Sequence, residues 1–381
     1  MTHPKFASSR SLALRCGAGL VFSFVLAATA QAADTFTVTD LITNNQATNP
    51  APGAITDANL VNPWGVSFSS TSPLWVSDNG TGLSSVYSIN PTTNAVTIES
   101  AGGDFPVTVN GGPTGQVFNS SSTAFGGDPF VFVTSSGTVQ GWPGTGNAAQ
   151  PISGLTPPSG SSYDGATLVT VSGNEYLLAA NAGTGNIDVF KGTSSAPNLS
   201  GTFTAPNLPS GSTPYNVQVL NNVVYVTYTN STGGTVAAFT TSGSFISQIA
   251  TGSALNSPWG LAIAPSSFGS IAGDLLVGNL GSGEIDIYTT GGSFVGTLNG
   301  TNGKPIVIQD LWSIFVGNNG GAGSSNELYF TAGSKGYSSG LVGVLQIASV
   351  PEPSTAVLGL IAMGALAGRW HWKNRRRAVI S

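Results

Sequence analysis

From residue 35 onward the hydrophobic positions fall into short bursts rich in Val, Ile, Leu, Phe, Tyr and Trp, separated by clusters of Gly, Pro, Ser, Thr and Asn. That pattern predicts short β-strands joined by turns, not helices. The bursts recur. Six segments open with Pro or a bulky residue and place a small residue third: Pro63-Trp64-Gly65, Pro113-Thr114-Gly115, Tyr163-Asp164-Gly165, Pro214-Tyr215-Asn216, Pro258-Trp259-Gly260 and Leu311-Trp312-Ser313. Their third residues lie 50, 50, 51, 44 and 53 positions apart. A fixed period of about 50 residues marks propeller blades or another repeat; β-helices repeat at shorter intervals and sandwiches have no fixed period. Six units of about four strands each predict an all-β fold, a single six-bladed β-propeller over residues 33–349.

Three of the repeats align without a gap through the next hairpin. Leu74-Trp75-Val76-Ser77-Asp78-Asn79-Gly80 leads to Val86-Tyr87, Leu177-Leu178-Ala179-Ala180-Asn181-Ala182-Gly183 to Val189-Phe190, and Leu275-Leu276-Val277-Gly278-Asn279-Leu280-Gly281 to Ile287-Tyr288. Asp and Asn suit these turns because they tolerate positive φ and bond their own backbone. The sixth repeat has room for only three strands, near Leu311–Val316, Glu327–Thr331 and Leu341–Ile347. The β-rich segment Thr35–Ile42 precedes the first repeat. It is predicted to supply the missing outer strand, so that the two ends of the propeller pair and leave no open edge to aggregate.

Only 7% of the chain is charged, against roughly 25% in typical soluble domains, while 40% is hydrophobic and 52 residues are Gly. This excludes disorder driven by charge and argues against a helical bundle. Residues 33–350 hold three basic side chains, Lys191, Lys304 and Lys335, and fifteen acidic ones, for a net charge of −12. A nucleic-acid partner has no basic footprint to meet there, and an Arg-based phosphate clamp is excluded. His3, His371 and Cys16 all lie outside the propeller. Catalysis by Ser-His-Asp or Cys-His and imidazole or thiolate metal sites are therefore excluded within it. Carboxylates remain. Asp78, Asp164 and Asp310 sit near blade starts or turns, where they either cap turns or converge on the axis as Ca²⁺ ligands. Gly336-Tyr337-Ser338-Ser339-Gly340 has the form of a nucleophile elbow. With no histidine and no following helix, it reads as a long hairpin loop in the sixth blade.

The residue before each small third position is Trp64, Thr114, Asp164, Tyr215, Trp259 or Trp312 in turn. Equivalent positions in a propeller ring the axis. One reading makes Trp64, Asp164, Tyr215, Trp259 and Trp312 a concave aromatic mouth for a sugar or another ligand with an apolar face. The other packs each tryptophan into the wedge between neighbouring blades.

Both ends read as addresses. Lys5, Arg10 and Arg15 precede an uncharged apolar stretch from Cys16 to Ala30, followed by Ala30-Gln31-Ala32. Residues 1–32 thus form a secretory signal peptide, cut by signal peptidase after Ala32. Residues 350–381 begin with Val350-Pro351-Glu352-Pro353 and continue through an apolar span, 355–368, to a basic cluster with Arg369, Arg375, Arg376 and Arg377. The span is short for a membrane helix, and the cluster marks its cytoplasmic side.

Motif, span and basic cluster in this order resemble the PEP-CTERM sorting signal of Gram-negative bacteria. The resemblance implies recognition by exosortase, removal of the span, and delivery to the cell surface or extracellular matrix. The repeats are similar to degenerate NHL-type repeats, with Asp78, Asn181 and Asn279 at the usual Asp turn position. With Asn62-Pro63-Trp64-Gly65 and Trp75-Val76-Ser77-Asp78-Asn79-Gly80, the body resembles a family of exported PEP-CTERM propeller proteins, a resemblance that implies no particular activity. The expected function is that of an exported surface or matrix propeller that binds a glycan or a surface protein, or serves structurally, without a cofactor. The alternative is a secreted Ca²⁺-dependent propeller enzyme of the lactonase or lyase kind.

Overall fold

Each repeat start becomes the innermost strand of an antiparallel sheet, and six such sheets form the six blades of a propeller in the computed structural model, which describes residues 34–348. The expected cut after Ala32, with Ala30 and Ala32 as its small-residue pattern, the Pro351-Glu352-Pro353 motif, the 355–368 span and the Arg369, Arg375, Arg376 and Arg377 cluster lie outside the described residues. Blade 1 runs outward through Pro63–Ser67, Leu74–Asp78, Leu83–Ile89 and Val96–Ile98. Blade 2 has Pro113–Phe118, Phe130–Thr134, Val139–Trp142 and Gln150–Pro151. Blade 4 has Thr213–Leu220, Val223–Asn230, Gly233–Thr240 and Phe245–Gly252; blade 5 has Pro258–Ile263, Leu275–Asn279, Ile285–Tyr288 and Phe294–Thr297.

Blade 6 contributes Leu311–Val316, Leu328–Ala332 and Leu341–Ile347. Its fourth strand is Phe36–Thr43, antiparallel to Leu341–Ile347, with Phe36 opposite Ile347 and Thr43 opposite Leu341. The ring therefore closes by pairing its two ends, as the short sixth repeat requires. Blade 3 departs from the four-strand expectation. It has Tyr163–Val171, Asn174–Asn181 and Asn186–Lys191 only. Residues 192–212 carry Pro197, Pro206 and Pro209, which have no N–H to give a ladder; they bury Ala196, Phe203 and Ala205 between blades 3 and 4 instead.

The core is distributed. Six apolar clusters each occupy one blade–blade boundary. In the first of these, Phe36 joins Phe268 and Phe330 between blades 5 and 6. A seventh, smaller cluster of Trp259, Leu280 and Trp312 lies apart from them, with Trp64 and Tyr215 packed against it.

The small third residues have a steric cause at the axis. A Cβ on Gly65 would lie 2.5 Å from the Thr114 carbonyl of blade 2, one on Gly115 2.5 Å from the Ala166 nitrogen of blade 3, and one on Gly260 2.6 Å from the Trp312 carbonyl of blade 6; one on Gly165 would strike Asn216 of blade 4. Where the third residue has a side chain, it bonds the next blade. Asn216 Nδ2 donates to the Trp259 carbonyl at 2.8 Å, and Ser313 Oγ to the Trp64 carbonyl at 2.9 Å. Each blade thus touches the next through this one position around the whole ring.

Candidate functional site

Antiparallel pairing sets Pro63 opposite Asp78, Tyr163 opposite Asn181 and Pro258 opposite Asn279. The starts of the innermost strands and the Asx-Gly turns therefore share one face. Asn62, Ser257 and Asp310, each just before an innermost strand, adopt φ of 50°, 53° and 56°. This left-handed turn delivers the following aromatic residues to the axis.

There the rings meet one another. Trp64 stacks on Trp312 with centroids 3.6 Å apart, and Trp259 stands edge-on to both, at 5.8 Å from Trp312 and 6.5 Å from Trp64. Tyr215 reaches Trp312 from blade 4 at 6.1 Å. Four of the six equivalent side chains, from blades 1, 4, 5 and 6, are thereby brought together. Trp259 and Trp312 are 4% and 2% exposed, whereas Trp64, Tyr215 and Asp164 are half-buried. Thr114 does not join them; it is buried, and its Oγ1 donates to the Tyr163 carbonyl at 2.6 Å.

The polar handles of the tryptophans are used unequally. Trp259 Nε1 donates to the Asp164 carbonyl at 3.0 Å, and Trp312 Nε1 to Asn62 Oδ1 at 2.9 Å. Trp64 Nε1 is buried and has no partner among the described residues. The Asp164 carboxylate lies beside Tyr215, and burial pushes it up to about 7. Burial raises the Tyr215 phenol, and the Asp164 charge adds to this.

Tyr337 completes the cluster, and the repeat pattern gave no sign of it. It lies on the blade 6 loop between Leu328–Ala332 and Leu341–Ile347, 5.8 Å from Trp312 and 44% exposed. Ser334, Lys335 and Tyr337 of this loop all have positive φ, and Gly336 N donates to Asp310 Oδ2 at 2.9 Å. Ser338 Oγ donates to the Lys335 carbonyl, as in a turn. The nucleophile-elbow pattern is thus a loop that holds an aromatic ring over the mouth.

The other carboxylates are structural pins. Asn181 and Asn279 donate to Asp188 Oδ2 and Asp286 Oδ2 at 2.8 and 2.9 Å inside blades 3 and 5. In blade 1 the pair is inverted: Asp78 Oδ2 accepts from Ser85 Oγ at 2.6 Å, and burial holds the Asp78 carboxyl well above its usual range. Asp78 lies inside its hairpin, and Asp310 holds the blade 6 loop. Among the described residues no three acidic side chains gather as a set of metal ligands.

Residues 349–377 match the PEP-CTERM protein-sorting motif. An uncharacterized protein of Acanthamoeba polyphaga mimivirus is 34% identical over 112 residues, 29% of this chain and 29% of its own length. A second uncharacterized mimivirus protein is 25% identical over 355 residues, 82% of this chain and 80% of its own. Among solved structures, an auxiliary nutrient binding protein from Bacteroides ovatus superposes with a TM-score of 0.50 at 11% identity, covering 83% of this chain and 78% of that one. At that identity the likeness concerns the fold alone. The chain is a six-bladed β-propeller that carries a PEP-CTERM protein-sorting motif, and that motif implies export and processing by exosortase.

Proposed function

We propose that this is an exported surface or matrix protein that holds a glycan, or another ligand with an apolar face, at the aromatic mouth. The observation that carries the reading is the contrast within one cluster. Trp259 and Trp312 are buried supports, while Trp64, Tyr215 and Tyr337 keep accessible surface around them. Aromatic faces with a few polar groups at their edge, here Asp164 and the two phenols, suit the C–H face and hydroxyls of a sugar. A glycan array probed with the exported protein tests this. Binding that survives Trp64→Ala combined with Tyr337→Ala would remove the mouth from consideration.

In this reading signal peptidase cuts after Ala32, and the 355–368 span holds the precursor in the inner membrane with the propeller outside. Exosortase then acts at Pro351-Glu352-Pro353. Intact-mass measurement on protein recovered outside the cell checks the route; a species still carrying Arg375–Ser381 contradicts it. A catalytic reading draws on Asp164, whose carboxyl near 7 is able to give or take a proton at the mouth. Stoichiometric Ca²⁺ in the purified protein would favour that reading, in the form of a lactonase or lyase.

A further inference from the structure

Behind the tryptophans the axial channel holds a partly open cavity of about 290 Å³, lined by residues from all six blades. None of the lining residues is charged. Three polar groups in it have capacity to spare. Ser67 is only 8% exposed, and its hydroxyl has no partner among the described residues. Thr167 Oγ1 accepts from Val219 N at 3.1 Å, which leaves its hydrogen free. Gln218, half-buried, makes no side-chain hydrogen bond among the described residues. Buried polar groups are nearly always satisfied, so the unpartnered Ser67 hydroxyl, with the spare donor of Thr167 and the accessible amide of Gln218 lining the same cavity, points to something that bonds them.

The three arise at one position of the repeat. Ser67, Thr167 and Gln218 each stand two residues after the small third residue, in blades 1, 3 and 4; blades 2, 5 and 6 have Val117, Ala262 and Phe315 there. One residue further on, all six blades are apolar and half-buried: Phe68, Phe118, Leu168, Val219, Ile263 and Val316. The inner strands run away from the tryptophans, so these six form a hydrophobic collar at the opposite end. The aromatic cluster lies at the tryptophan end of the axis, and Trp259 lines the cavity from that side.

We propose that this channel is a second ligand site, separate from the aromatic mouth, and that it takes one neutral pyranose ring. The absence of charge in the lining disfavours an ion. Hydroxyls and an amide both donate and accept, which suits neighbouring sugar hydroxyls, while Val117, Phe315 and the collar suit the C–H face. The volume lies just below the roughly 300–1,000 Å³ of ligand pockets, enough for one ring and not for an extended chain. The ring is either a free monosaccharide or the terminal residue of a longer glycan.

The test uses the full-length protein in a zwitterionic detergent, titrated with methyl glucoside, methyl galactoside and N-acetylglucosamine. At least one is expected to bind. Gln218→Leu and Ser67→Ala should each weaken it about tenfold, the loss of one buried hydrogen bond, with an unchanged melting temperature. Thr37→Ala, on the exposed outer strand of blade 6, should leave the affinity as it was. A trisaccharide ending in the same ring separates the two sources: equal affinity indicates a terminal residue, and binding of the monosaccharide alone a free sugar. The inference is overturned if none of the three sugars binds, if neither channel variant alters the affinity, or if Trp64→Ala abolishes binding while the channel variants do not.

Discussion

The indole nitrogen of Trp259 donates to the backbone carbonyl of Asp164 at 3.0 Å, a bond that joins blade 5 to blade 3 and passes over blade 4. Adjacent blades are held by their shared apolar clusters; this bond spans the axis itself. It also fixes the backbone from which the Asp164 carboxylate projects toward Tyr215.

Trp259 should therefore matter to stability and Trp64 to binding. Trp259→Ala is expected to cost about 3–5 kcal/mol, as for a large buried aromatic side chain. Trp259→Phe keeps a ring but loses the bond to Asp164, for about 1 kcal/mol. Trp64→Ala, at a half-buried position, should cost less than Trp259→Ala while removing ligand binding at the mouth. Urea denaturation and a glycan-binding assay on the three variants give both readouts.

Ring closure depends on Phe36–Thr43. Deleting residues 33–44 removes Phe36 and Ile42 from two blade boundaries and leaves Leu341–Ile347 as an open edge. The expected result is a sharp fall in melting temperature together with aggregation. An unchanged melt would mean that the end-to-end ladder contributes little.

The glycines at the axis should not tolerate a methyl group. Gly65→Ala and Gly115→Ala each drive a Cβ against the backbone of the next blade. Overpacking of this kind costs about 1–3 kcal/mol or more where backbone is the obstacle. Ser313→Ala, which loses only its bond to the Trp64 carbonyl, should cost about 1 kcal/mol. A thermal melt series that ranks Ser313→Ala as more damaging than the glycine substitutions would contradict the close-approach account.

The protein should be more stable in mild acid than at neutrality. Asp40, Asp78, Asp128, Asp164 and Asp286 all have carboxyls raised by burial. A carboxyl raised in the folded state binds its proton more tightly there than in the unfolded chain. For Asp164 that stabilisation is complete below about 4, the unfolded value, and is lost as pH rises through about 7. Melting temperature should fall between pH 5 and pH 8, and Asp164→Asn should flatten that slope. A slope of equal steepness in the variant would assign the effect to the other carboxyls.

Blade number, the opening motif of each blade and the closing strand were legible in the chain because a repeat fold writes its geometry periodically. A position that meets the neighbouring blade in one repeat meets it in all, so a small residue recurs at Gly65, Gly115, Gly165 and Gly260, although the close approach that requires it is visible only in the fold. The three-stranded blade 3 was hidden, because its prolines break a strand that the spacing of about 50 residues still accommodates. The convergence of Trp64, Tyr215, Trp259 and Trp312 followed from equivalence, but their mutual stacking and unequal burial did not. Those depend on side chains from opposite sides of a ring competing for the same space on the axis. Tyr337 reaches the mouth from a loop outside the repeat, and the spare hydrogen-bonding capacity of Ser67, Thr167 and Gln218 is recognisable only once every other hydrogen bond is accounted for. Period and composition reside in the order of residues along the chain; which polar atoms are left without a partner depends on where six separate strands come to rest, and only the tertiary structure decides that.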